Sequence, residues 1–328
     1  MARRKTTTSK RNGQSQVARP RPRITPEPKP TNGNGAVEAH PPEQRLPVLK
    51  TYKIFINGQF PRTESGRYYV AKSPAGELLG NICRGSRKDF RDAVVAARNA
   101  QASWASKTAY NRGQILYRIA EMLEGRAAQF RDELARGGEP ASAGVSEVEK
   151  SIDRVLYYAG WCDKYQQVFS SVNPVATSHF NFSILEPTGV VSILAPEQSP
   201  LLGLVSTIIP VIAGGNTCVA LASTSNPLPA VTFAAVLATS DLPAGVVNLL
   251  TGFRAELVEH FANHMDVNAC LYCGRDEKEL EVVRTSASLN VKRVVTYDRD
   301  DWAGDDAQSP YSILDTQEVK TTWHPVGT

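Results

Sequence analysis

No stretch of the chain approaches the roughly 18 consecutive apolar residues that a membrane-spanning helix needs, so no span is expected. No apolar segment follows the basic N-terminus either, and a secretory leader is not expected. Cysteine is scarce: five residues, at 83, 162, 218, 270 and 273, an odd number at irregular spacing. That argues against a disulfide framework and for a reducing, cytoplasmic setting. Cys270-x-x-Cys273 has no second pair and no histidine cluster beside it, so it reads as the end of a buried strand rather than a zinc or redox site. Aromatic side chains are missing altogether from residues 1–50, which hold 8 of the 21 prolines and 11 Lys/Arg against 3 Asp/Glu. Such a segment buries too little apolar surface to offset its ordering entropy, so 1–50 reads as a disordered, basic, proline-rich tail. The tail's composition fits a solvated arm, and nucleic acid is not expected as a partner.

What is there begins at 51. Tyr52-Lys-Ile-Phe-Ile-Asn-Gly-Gln-Phe alternates and then reaches Asn57-Gly58, which predicts a hairpin. Ser86 with Asp89 three residues on predicts a capped helix start, with Phe90, Val94, Ala97 and Gln101 along one face. Helical spacing extends over 110–135 and again over 146–166. Residues 190–194 are continuously apolar and suit a strand buried on both faces. Pro196 and Pro200 bracket a turn, and 201–213 has helical length, with Pro210 predicting a kink or a late start. Gly214-Gly215 closes that helix, and 217–221 is the next strand. Helices over 227–241, 255–264 and 276–289 then alternate with strands over 246–250, 269–272 and 292–297. Strands alternating with helices predict an α/β, doubly wound, parallel sheet with helices on both faces.

Several stretches carry a family resemblance. Glu186-Pro-Thr-Gly-Val-Val, the Pro196 to Pro200 turn and Ala213-Gly-Gly-Asn-Thr together resemble the opening of the nucleotide-binding domain of aldehyde dehydrogenases. Asn57-Gly58-Gln59-Phe60 resembles that family's entry hairpin, and Leu156-Tyr-Tyr-Ala-Gly-Trp-Cys-Asp-Lys one of its helices. Residues 167–185, where Phe180, Phe182 and Ile184 alternate, resemble its oligomerisation hairpin, and 314–325 its C-terminal oligomerisation strand. The resemblance implies a Rossmann-like domain of the aldehyde dehydrogenase type over 51–300, with N-terminal helices, and a linker plus oligomerisation strand over 301–328.

It also implies a chemistry: a thiolate nucleophile, an oxyanion donor, a base and a nicotinamide. At the family's oxyanion asparagine stands Gln198, its amide one carbon further out, with Glu197 placing negative charge beside it. At the lysine and glutamate that hold the ribose stand Leu221 and Thr224. Gly252, Gly274 and Arg275 are what is left of the cofactor-binding positions, and Asp276, Glu277 and Glu279 crowd the helix start where a pyrophosphate would sit. Tyr297 stands where the base would be. No cysteine follows Cys273, so the nucleophile has no counterpart, and the catalytic domain reads as cut out with both flanks kept. The leading expectation is a non-catalytic family member, a structural or regulatory subunit pairing in a hetero-oligomer with a full-length aldehyde dehydrogenase, with no cofactor, or NAD if any. The alternatives are a divergent NAD-dependent aldehyde dehydrogenase and a vestigial nucleotide sensor.

Overall fold

The structure is a computed structural model that describes residues 49–327. The basic tail lies outside the described residues, except for Leu49 and Lys50.

A small sheet opens the fold. The strands Thr51–Tyr52 (β1) and Tyr68–Lys72 (β2) flank Leu78–Cys83 (β3), parallel and antiparallel to it respectively. Asn57 and Gly58 form the expected tight turn, both at positive φ (53° and 73°), and Ile56 and Gln59 exchange backbone bonds of 3.0 Å across it. The strand entering the turn is not half of a longer hairpin, however. Phe55 and Leu249 exchange 2.8 Å bonds instead, which ties this segment to the edge of the main sheet.

Four helices follow: Arg87–Ala105 (α1), Ala109–Glu124 (α2), Ala127–Arg136 (α3) and Ala141–Trp161 (α4). The Ser86 hydroxyl accepts from the Asp89 N–H, and the Asp89 carboxylate accepts from the Ser86 N–H at 2.8 Å, so the predicted capping box is present. The one helix expected over 110–135 is two. Gly125 ends α2, because a residue without Cβ propagates a helix poorly, and Arg126 starts α3 on a new axis. The helix expected over 146–166 starts earlier, behind Pro140, and is followed by a separate turn of helix, Tyr165–Phe169 (α5).

The strands Ser171–Asn173 (β4) and His179–Pro187 (β5) lead into the main unit. There Val190–Leu194 (β6), Leu202–Ala213 (α6), Thr217–Leu221 (β7), Leu228–Ala238 (α7) and Val247–Leu250 (β8) wind one way. Arg254–Asn263 (α8), Ala269–Cys273 (β9), Glu277–Ser288 (α9) and Arg293–Tyr297 (β10) wind the other. All five strands are parallel, in the order β10-β9-β6-β7-β8. The winding reverses between β6 and β9, and ligands of open α/β sheets bind at the carboxyl ends of strands beside such a reversal. The α6 helix starts at Leu202 and runs through Pro210, rather than starting late; its side chains are buried all round, and that packing outweighs one lost backbone bond. Gly215, at φ 88°, closes it.

Strand side chains alternate between two apolar layers. Val191, Ile193, Ala220 and Leu271 face α2, α4, α6 and α7, while Val190, Leu194, Val219 and Tyr272 face α1, α8 and α9.

After β10 the chain does not trail as a bare linker. A single 3-10 turn at Asp305–Ala307 and the short helix Tyr311–Leu314 (α10) lead to Gln317–Pro325 (β11). Trp302 is fully buried, and Arg154 of α4 holds the segment by donating to Trp302 O (3.1 Å), Ala307 O (2.7 Å) and the Gln308 side chain (3.0 Å). The strand β11 also has a partner within the chain along one of its edges. It pairs antiparallel along its whole length with β5, from Gln317 against Pro187 to Pro325 against His179, and β5 pairs with β4 on its other side. Among the described residues no helix is long and apolar enough to cross a membrane.

Candidate functional site

A cleft of about 430 Å³ opens at the carboxyl ends of β6, β9 and β10, beside the winding reversal. The turn after β6 supplies Pro196, Glu197 and Gln198 to its wall. The end of β9 and the start of α9 supply Tyr272, Gly274, Arg275, Asp276 and Glu279, and α8 supplies Arg254.

Glu197 does not point its charge at the open cleft. One carboxylate oxygen accepts from Thr224 N (2.9 Å), Ser225 N (3.2 Å), Ser223 Oγ (3.0 Å) and Ser225 Oγ (3.2 Å). The 223–225 loop presents backbone and hydroxyl donors, a shape that attracts an anion, and the side chain from the neighbouring turn fills it. The loop expected to recognise ribose is thus closed by an internal carboxylate. Gln198 is exposed on the cleft wall, and its side chain bonds to no described residue.

Arg254, at the first position of α8, was not singled out by sequence reasoning. Its guanidinium donates to Glu279 (2.7 Å), Ala195 O (2.9 Å) and Cys273 O (2.7 Å), and lies 4.8 Å over the Tyr272 ring. A cation at a helix start opposes the helix dipole, and that was the available signal: an arginine placed there needs acceptors from elsewhere. Arg275 is therefore not the sole cation at the cleft. It is exposed and ion-paired to Asp298 and, at 2.7 Å, to Asp300. Asp276 caps α9, accepting from Lys278 N (2.9 Å) and Glu279 N (3.1 Å), so the second and third amides of that helix are taken.

The glycines are accounted for by packing. A Cβ on Gly274 would lie 2.9 Å from the Tyr272 hydroxyl and 3.3 Å from the Arg254 guanidinium, so the space above it is already occupied. Gly252 is not on the cleft wall. A Cβ there would lie 3.2 Å from Gly85 N, in the loop before α1, whose amide donates to Thr251 O at 2.7 Å. Tyr297 ends β10 with its ring at the cleft but its hydroxyl turned away, donating to Asp315 at 2.5 Å. Burial, and then the Asp315 charge, hold its pKa well above 10, so it accepts no proton near neutrality.

A dinucleotide would need donors for phosphate and ribose here. The Thr224, Ser225, Lys278 and Glu279 amides, Arg254 and Arg275 each already face an internal acceptor, and the carboxylates of Asp276, Glu279, Asp298 and Asp300 stand around the cleft. As folded, the residues do not fit NAD. The thiols offer no substitute chemistry, because all five cysteines are buried. Burial pushes Cys270 up to about 11 and Cys162 to about 12, with Cys218 and Cys273 higher still. Cys270 and Cys273 sit on opposite faces of β9, in different layers of the core, which excludes a shared metal between them.

Residues 61–296 match the sequence profile of the "Aldehyde dehydrogenase family". Among curated proteins, omega-crystallin of Enteroctopus dofleini is 30% identical over 258 residues, 77% of this chain and 51% of that protein. Retinal dehydrogenase 2 of Gallus gallus is 32% identical over 252 residues, 75% of this chain and 48% of its own length. Among solved structures, the NAD+ complex of an aldehyde dehydrogenase from Bacillus cereus superposes with a TM-score of 0.72 at 26% identity, covering 75% of this chain and 50% of that one. The HpcC structure from Thermus thermophilus gives 0.72 at 28% identity, covering 75% and 48%. The chain spans about half the length of the curated relatives it matches.

Proposed function

The chain belongs to the aldehyde dehydrogenase family, and from that premise we propose that it is a non-catalytic member, a structural or regulatory subunit that pairs with a full-length aldehyde dehydrogenase. One observation carries the first half of this reading: most donor groups lining the cofactor cleft, the Gln198 amide and the Arg299 guanidinium aside, are held by carboxylates or carbonyls of the same chain. A dinucleotide would have to displace those contacts and then meet Asp276, Glu279, Asp298 and Asp300 at close range. A divergent dehydrogenase would in addition need a reactive thiolate, and burial keeps four of the five thiols far from ionisation. A nucleotide sensor would need the ribose contacts that Leu221 and Thr224 do not provide. Five buried, unbridged thiols support the reducing, cytoplasmic setting.

The partner half rests on the strand β11. One edge is zipped to β5, and the other is the edge of a three-stranded sheet. Val319 and Trp323 stand exposed on that strand, at 66% and 56%. An open strand edge with exposed apolar side chains is a template for strand addition by a relative. The activity test is steady-state NADH production by the purified chain with a panel of aldehydes. The reading expects none above background. Turnover that survives purification to homogeneity would refute it. Co-expression with a full-length relative, followed by native mass spectrometry, tests the pairing.

A further inference from the structure

At the other end of α8 from the cofactor cleft lies a second cavity, of about 640 Å³. Its walls are the first two turns of α1, with Arg87, Lys88 and Arg91, and the last turn of α8 with the loop after it, with His260, Asn263, His264 and Met265. Beneath it lie two fully buried aromatic rings. Phe90 stacks on Phe261 with ring centroids 4.1 Å apart, and His264 meets Phe90 edge-on at 5.7 Å. Among the described residues no carboxylate lines it.

Of the three cations here, one is left without a carboxylate among the described residues. Lys88 pairs with Glu64, and Arg91 with Asp92 at 2.8 Å, both pairs on the exposed side. Arg87 has no ion-pair partner among the described residues. His264 uses Nδ1 to accept from Asp266 N (3.2 Å), which leaves Nε2 for a ligand. The site does not rest on the start of α1, whose amides are already capped by Ser86 and Asp89.

We propose that this cavity binds a small phosphorylated molecule with an aromatic or apolar body, its phosphate against Arg87, Arg91 and the two imidazoles, its body against Met265 and the His264 ring. The Arg87 fork, unpaired among the described residues, with the exposed and singly paired Lys88 and Arg91 beside it, favours a multiply charged oxyanion over a carboxylate. The exposed thioether of Met265, at 85%, adapts to an apolar surface of varied shape. Both histidines titrate below their ordinary 6.5. Burial lowers them first; Arg87 lowers His260 further, opposed by Glu259, and Lys292, Arg87 and Arg91 lower His264, opposed by Asp266. A bound phosphate reverses that repulsion, so ligand binding raises both midpoints.

The probes are phenyl phosphate, inorganic phosphate and phenol, titrated into the whole chain while the histidine ring protons are followed by NMR. Phenyl phosphate is expected to bind about tenfold or more tightly than either fragment, since the two halves of the site act together. It should raise the His260 and His264 midpoints. Arg87→Ser and Arg91→Ser, both at exposed positions, should each weaken it about fivefold or more, while Arg118→Ser on α2 leaves it unchanged. Equal affinity in the wild type and in Arg87→Ser, or histidine midpoints unmoved at saturation, would overturn the site. So would phenyl phosphate binding no tighter than inorganic phosphate.

Discussion

Glu197 brings one carboxylate to four donors of the 223–225 loop, and in doing so stabilises that loop and removes it from ligand binding. Glu197→Ala is expected to cost about 0.5–1.5 kcal/mol in urea unfolding, the net value of hydrogen bonds whose donors can turn to water. A change inside experimental error would mean the loop does not depend on it. Glu147 makes a second case, with a pH dependence. It accepts from Leu201 N (2.9 Å) and Leu202 N (3.1 Å), yet burial raises its pKa above 4.5 against those bonds. A carboxyl whose folded pKa exceeds its unfolded one contributes stability that is complete below the unfolded value and is lost as pH rises through the folded value. Stability should therefore fall from about pH 4.5 upward on this group's account, and Glu147→Gln, which keeps an acceptor, should flatten that limb. Unfolding curves of the two proteins that decline in parallel would contradict this. The identities of Glu197, Gln198 and Tyr297 were legible in the sequence as departures from a motif. Their directions were not. Which donors a side chain turns to depends on neighbours far along the chain, such as Ser225 for Glu197 and Asp315 for Tyr297. Arg254 was missed for the same reason, its three acceptors coming from three different elements.

Elements with strong local signals were legible. The Asn57-Gly58 turn, the capping box on α1 and the strand-helix alternation of the main sheet each follow from residues within a few positions of one another. The break at Gly125 was not, because the apolar spacing runs straight across it and the helix-weakening signal is one glycine. Nor was the fate of the 298–316 segment, whose polar composition hides one large anchor. Trp302→Ala should destabilise the chain by about 3–5 kcal/mol, the cost of emptying a fully buried aromatic site. A loss below about 1 kcal/mol in chemical denaturation would mean the segment is not part of the core. The pairing of β11 with β5 also changes how its partner role is best probed. A proline at Thr321 would disturb the chain's own sheet first, since Thr321 lies against Ser183 with their hydroxyls 2.8 Å apart. Trp323→Asp, at an exposed position, leaves that pairing in place. It is expected to weaken co-purification with a full-length relative at least about tenfold without lowering the melting temperature. Undiminished co-purification would remove β11 from the interface.

For the molecule as a whole, a sheet and helices of the family are kept, while the cleft at the carboxyl ends of the strands is lined by the chain's own charges. Building the fold needs only apolar layers and strand register, and those survive at about 30% identity to dehydrogenase relatives. Holding a cofactor needs donors left free, and here acceptors from the same chain take most of them. Calorimetric titration of NAD+ into the purified chain tests that account most directly. The account predicts no saturable heat up to about millimolar cofactor, a free energy of association weaker than about −4 kcal/mol. One-site binding with a micromolar Kd would contradict it.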